Sequence, residues 1–108
     1  MTFKREENLC GGKGVTAFKY LLGEKELNGK CGMFAELTVE KGGSIGYHEH
    51  HGESETYYIL SGRGLYNDNG TEREVGPGEV TYTPDGSGHG IVNIGDGDLV
   101  FIGLIIYE

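Results

Sequence analysis

The sequence has no tryptophan and only two prolines and two cysteines in 108 residues. It carries just nine lysines and arginines against 17 aspartates and glutamates, a formal net charge of −8. Each shortage excludes something. The few basic residues are scattered singly, with only Lys4 and Arg5 adjacent, and form no stripe that could follow a phosphate backbone or an anionic bilayer. Nucleic acid and membrane surfaces are therefore excluded as expected partners. The longest apolar stretch, Leu99 to Tyr107, is far too short for a bilayer-spanning helix. The opening MTFKREEN lacks the apolar core of a secretion signal, so a cytoplasmic protein is expected. In that setting Cys10 and Cys31, which have no metal-ligand spacing, are expected as reduced thiols, with a disulfide between them the alternative. No segment sustains helical periodicity; Leu21–Asn28 comes nearest, and Gly23 weakens it.

What the chain has in abundance is glycine, 21 residues without a collagen-like period. The glycines punctuate short apolar runs, as expected of tight turns in an all-β domain. Residues 1–13 are polar and charged and read as a loose N-terminal arm, leaving 14–108 as one domain. Strands are expected at Val15–Leu22, Gly32–Glu40, Ser44–His50, Glu55–Leu60, Leu65–Tyr66, Thr71–Val75, Val80–Thr83, His89–Asn93 and Leu99–Tyr107. In Gly32–Glu40 the pattern is clear, with Met33, Ala35, Leu37 and Val39 on one face and Glu36, Thr38 and Glu40 on the other. Asn67-Asp68-Asn69-Gly70 is a hairpin signal. The last strand, LVFIGLIIY, does not alternate, which implies cover on both faces. A partner subunit in a homodimer is the expected cover, and the N-terminal arm is the alternative.

All four histidines lie at 48, 50, 51 and 89. His48 and His50, two apart on a strand, share a face roughly 7 Å apart. Four residues later Glu55 opens the returning strand, and His89 follows the turn Asp85-Gly86-Ser87-Gly88. Imidazoles and a carboxylate converging from neighbouring strands are what a metal ion needs, because one strand cannot surround it. Parity turns Tyr57 inward with Glu55, and Glu49, His51, Tyr47 and Tyr58 outward, while Tyr82 is left open. Glu53, placed in the turn, is a weaker alternative to Glu55.

Two stretches carry a family resemblance. Gly42, five residues, His48-Glu49-His50, four residues, Glu55, six residues and Gly62 make the first; Gly78, five residues, Pro84-Asp85-Gly86, two residues, His89, three residues and Asn93 make the second. They resemble the two motifs of the cupin superfamily at every specified position and cover about a third of the chain. The resemblance implies a jelly-roll β-barrel with one divalent transition metal ion (Mn, Fe, Ni, Zn or Cu) held in its mouth by His48, His50, Glu55 and His89. It also implies turns at Gly42, Gly62, Gly78 and Gly86. Three nitrogens and one oxygen leave coordination positions open, as a catalytic site requires.

The expected function is that of a metalloenzyme acting on a small neutral or singly anionic organic molecule. Dioxygenation, decarboxylation, isomerisation and lyase chemistry are implied through the resemblance alone. A non-catalytic module that binds or senses a sugar or organic acid is the alternative. Phosphorylated substrates are disfavoured, because Arg63, Arg73 and Lys19 are not expected to face the cavity. The one candidate catalytic side chain outside the ligand set is Tyr57, whose phenol could donate to a ligand of the ion or share proton transfer with a water there.

Overall fold

The computed structural model describes residues 2–108, and ten strands carry nearly all of its regular structure. They are β1 (Thr2–Glu7), β2 (Val15–Tyr20), β3 (Cys31–Val39), β4 (Ser44–Glu49), β5 (Glu53–Ser61), β6 (Gly64–Asp68), β7 (Thr71–Val75), β8 (Val80–Thr83), β9 (Gly88–Asn93) and β10 (Leu99–Tyr107). A single 3₁₀ turn, Leu9–Gly11, and a one-turn helix α1, Glu24–Leu27, complete the elements. The strands form two antiparallel sheets, six-stranded in the order β1-β2-β3-β10-β5-β8 and four-stranded in the order β4-β9-β6-β7. The architecture is the expected all-β jelly roll.

Alternation drives the packing. In β3, Met33, Ala35, Leu37 and Val39 are buried while the residues between them are half-buried. Leu99 and Phe101 of β10 and Tyr57 and Ile59 of β5 join them from the six-stranded sheet, and Ile45, Tyr66, Val75 and Ile91 face them from the other. Burying each such side chain contributes about 1.5–3 kcal/mol, so this layer carries the stability of a chain with no tryptophan. Gly42, Gly62, Gly78 and Gly86 all have positive φ (79°, 89°, 87° and 88°), which is why turns fall there.

The structure corrects three local expectations. Residues 2–7, read as part of a loose arm, form β1, paired antiparallel with β2 from Thr2↔Tyr20 to Glu7↔Val15. An edge strand has one unpaired side and tolerates the Lys-Arg-Glu-Glu run that made the segment look unstructured. Part of the 21–28 segment is helical after all, as α1, with the Gly23 N–H donating to Glu26 Oε1 at its start. Glu53 stands not in a turn but at the start of β5.

The outer face of β10 is not covered by the described N-terminal residues, since β1 lies beyond β2 at the sheet edge. Val100, Ile102 and Leu104 are half-buried there. In register beside them lie Phe34 of β3, Tyr58 of β5 and Val80 and Tyr82 of β8, the last two 54% exposed.

Candidate metal centre

His48 ends up opposite His89 because β4 pairs with β9 in that register, and His50 follows just past the end of β4. Glu55 comes from the other sheet, on β5, between Thr83 of β8 and Ile105 of β10. The two ligand-bearing segments are stitched together. The His50 N–H donates to Ser87 O (3.0 Å), the Gly86 N–H to His50 O (2.8 Å) and the Gly52 N–H to Asp85 Oδ1 (2.7 Å). A clamp of this kind fixes where the imidazoles point before any ion arrives.

The structure brings together all four expected side chains. One ligand atom from each of His48, His50, Glu55 and His89 lies within 4.8 Å of the others. Three of those atoms form a triangle: His50 Nε2, His89 Nε2 and Glu55 Oε1 are each 3.0 Å from the other two. With metal–ligand bonds of about 2.1 Å, neighbouring octahedral ligands sit about 3.0 Å apart and tetrahedral ones about 3.4 Å apart. The triangle therefore fits an ion with octahedral angles, and the nitrogen-and-oxygen donor set suits a divalent transition metal.

Each histidine is anchored through its far nitrogen. His48 Nδ1 lies 2.8 Å from Gly46 O, His50 Nδ1 2.6 Å from Glu53 Oε2, and His89 Nδ1 2.9 Å from the Tyr66 hydroxyl and 2.8 Å from the Thr83 hydroxyl. A carbonyl and a carboxylate can only accept, so Nδ1 of His48 and of His50 carries a proton. In the neutral rings Nε2 is thereby left as the lone-pair atom.

Titration follows from these contacts. Burial drives the His48 pKa below its ordinary value, against the pull of the Gly46 carbonyl. The hydrogen bond with Glu55, joined by that with Glu53, holds the His50 proton and raises its pKa despite burial. Burial alone would raise Glu55, but hydrogen bonds from His50 and His89 and their charge keep its carboxyl below the usual range.

Tyr57 points inward, wholly buried, with its ring stacked on His89 at 4.8 Å and tilted against Phe101 at 4.4 Å. Burial, with the Glu55 charge beside it, drives its phenol well above the ordinary value. Glu49, His51, Tyr47, Tyr58 and Tyr82 all lie outside: Tyr47, Tyr58 and Tyr82 are exposed, and His51 pairs with Glu49 at the surface. Arg63 pairs with Glu74 on the surface, Arg73 lies near Glu79, and Lys19 stands beside Glu36 on the outer face of the large sheet. Among the described residues the buried polar and charged ones are Thr16, His50, Ser54, Glu55, Thr81, Thr83, His89 and Asn93, with no lysine or arginine.

Sequence reasoning missed Glu53, Tyr66 and Thr83 as supports of the histidines, and it missed Cys10. The 3₁₀ turn that carries Cys10 lies against β4, where a Cβ on Gly46 would collide with the Cys10 carbonyl. Although Cys10 is exposed, partial desolvation and the charge of Glu55 raise the pKa of its thiol. Both cysteines are free thiols. No helix among the described residues is long and apolar enough to cross a membrane.

Comparison with known proteins gives the same picture. A family model described as "Cupin domain" matches residues 35–107. An oxalate-binding protein of Thermotoga maritima is 40% identical over 106 residues, 98% of this chain and 88% of that one. The crystal structure of a predicted oxalate decarboxylase from Thermotoga maritima superposes with a TM-score of 0.95 at 39% identity, covering 100% of this chain and 94% of the other. The cupin domain of Cnp3 from Schizosaccharomyces pombe, 15% identical, shares the fold with a TM-score of 0.79 over 97% of this chain and 69% of that one.

Proposed function

The chain belongs to the cupin domain family, and from that premise we propose that it is a mononuclear metal protein that binds a small organic acid, with oxalate the first ligand to test. The observation that carries this is the cluster of half-buried His48 with buried His50, Glu55 and His89, with no lysine or arginine among the described buried residues. An acid entering the barrel would meet no lysine or arginine among the described buried residues. Bound by His48, His50, Glu55 and His89, an Mn, Fe, Ni, Zn or Cu ion supplies positive charge and open coordination positions for carboxylate oxygens. The 40% identical oxalate-binding relative supports the choice of ligand. It also shifts the expectation from a neutral or singly charged molecule towards a small dicarboxylate, while phosphorylated ligands remain disfavoured.

The chain's own residues do the rest. Gly46, Glu53 and the Tyr66–Thr83 pair hold the three imidazoles by Nδ1. Tyr57 stacks on His89 and Phe101 packs against Tyr57, lining the site beside His89 with aromatic rings. The test is titration calorimetry of oxalate into metal-loaded protein, with chelator-treated protein and a His48→Ala/His50→Ala variant beside it. Saturable 1:1 binding that requires both metal and the two histidines is the expected result. Equal binding by the stripped protein would overturn the proposal.

A second reading, turnover of the bound acid, is favoured by Tyr57. Its phenol stays protonated at any ordinary pH, so it can donate a hydrogen bond to the bound acid but cannot act as a base. Tyr57→Phe should keep oxalate affinity and lose product formation, followed by carbon-13 spectroscopy of labelled oxalate. Unchanged product formation would remove Tyr57 from the reaction.

The outer face of β10 completes the proposal. Phe34, Tyr58, Val80, Tyr82, Ile102 and Leu104 form a continuous apolar surface that a second copy would cover, giving a homodimer. Light scattering should give twice the chain mass for the parent and the single mass for Ile102→Asp; a monomeric parent at micromolar concentration would overturn it. A cytoplasmic setting fits the two free thiols.

A further inference from the structure

The three histidines of the cluster are anchored by three different chemistries. His48 Nδ1 meets a backbone carbonyl and His89 Nδ1 meets two hydroxyls, but His50 Nδ1 meets a carboxylate, Glu53 Oε2, at 2.6 Å. That distance belongs to a charge-assisted hydrogen bond, about twice as strong as a neutral one. Glu53 has no other side-chain partner among the described residues, and its side chain is one-quarter exposed. Its place is set by the backbone. Gly52 turns the chain at φ 78° with its N–H on Asp85, and its carbonyl accepts from the Glu108 N–H at 2.9 Å. Glu53 then opens β5 opposite Tyr107, three residues from His50 and two before Glu55. Alternation along β5 puts Glu53 on the same face as Glu55, and the glycine turn before it lets the carboxylate reach back to His50.

We infer that Glu53 is a positioning residue for the metal centre: it fixes His50 as the Nδ1–H tautomer, aims Nε2 at the ion and makes this ring the strongest nitrogen donor of the three. The physical reason is that a negative acceptor on Nδ1–H pushes electron density towards Nε2 and forbids the other neutral tautomer, which would place a proton where the ion binds. Partners of this kind typically contribute 10- to 100-fold in metal affinity. The inference rests on reading His48, His50, Glu55 and His89 as metal ligands and goes beyond it by giving a role to a residue at none of the specified positions of the two motifs.

The experiment compares the parent, Glu53→Gln, Glu53→Ala and the surface control Glu49→Gln, with Zn(II) alone as the probe. Competition against a chromophoric chelator should show affinity about 10- to 100-fold weaker for Glu53→Ala. Glu53→Gln, which retains an acceptor oxygen without the charge, should fall between it and the parent, and Glu49→Gln should match the parent. A purely structural role would not move the second readout, long-range proton–nitrogen correlation spectra of the metal-free protein. There, at alkaline pH where the ring is neutral, His50 should be a single Nδ1–H species in the parent and a tautomer mixture in Glu53→Ala. If Glu53→Ala does not fold, Glu53→Gln carries the comparison.

Zinc affinity within twofold of the parent, with an unchanged His50 tautomer, overturns the inference while leaving the metal site intact. If the parent itself binds no zinc, or the His48→Ala/His50→Ala variant binds as tightly, the metal-site reading fails instead. In that case the tautomer spectra still decide whether Glu53 positions His50.

Discussion

Tyr66→Phe and Thr83→Val, made singly and together, probe a fully buried polar group of the candidate metal centre. His89 is fully buried, and its Nδ1 has two hydroxyl partners at 2.9 and 2.8 Å, which also contact each other at 2.8 Å. Deleting either hydroxyl leaves Nδ1 with the other, so each single variant should lose only the net value of one hydrogen bond, about 1 kcal/mol. Deleting both strands Nδ1 in a dry site, adding a desolvation cost of about 1–3 kcal/mol. The double variant should therefore lose about 3–5 kcal/mol, at least 1 kcal/mol more than the two singles combined. At about 4–8 °C per kcal/mol in a domain of this size, the double variant should melt at least about 12 °C below the parent. The assay is urea unfolding of chelator-treated protein, followed by far-ultraviolet circular dichroism because the chain has no tryptophan. Losses that add within about 0.5 kcal/mol would refute a shared network.

Three further outcomes follow from single contacts. Gly46→Ala places a methyl group inside the Cys10 carbonyl and shifts the carbonyl that anchors His48, so it should cost about 1–3 kcal/mol and weaken zinc binding; an unchanged melting temperature would contradict that packing. Thr16 is fully buried, and its hydroxyl has no hydrogen-bond partner among the described residues. Thr16→Val should therefore stabilise the protein by about 1 kcal/mol, and a lower urea midpoint would show that the hydroxyl is satisfied. The third concerns pH. The raised His50 pKa means that the folded, metal-free protein holds a proton the unfolded chain releases near 6.5. Its stabilising contribution is complete below pH 6.5 and is lost as pH rises through the folded pKa. The lowered His48 pKa acts only below 6.5, where it opposes His50, so the clean window lies above that value. Metal-free parent should lose stability from pH 6.5 upwards more steeply than Glu53→Gln; parallel curves would contradict the Glu53 contribution.

The parts of this molecule legible in its sequence are those written in a local code. Two-residue alternation placed Tyr57 beside Glu55 on the inner face and sent Tyr47, Tyr58 and Glu49 outward, because strand geometry leaves no other choice. The two motifs located the four side chains that converge, since each motif spans one segment and its turn. Glu53, Tyr66 and Thr83 lay beyond that reach for a different reason. Tyr66 supports His89 only because β6 pairs with β9, and Thr83 supports it only because β8 crosses from the opposite sheet. Such neighbours are products of topology, with no spacing that announces them. Glu53 was close enough in sequence to notice and shares parity with Glu55, but the glycine before it made it read as part of the turn, where parity does not apply. The charged β1 misled in the same way, because pairing along one edge leaves its composition indistinguishable from that of a solvated tail. What the sequence encodes locally is which atoms can bind a metal; the order and crossing of the strands decide how firmly, and in which tautomer, each of them is held.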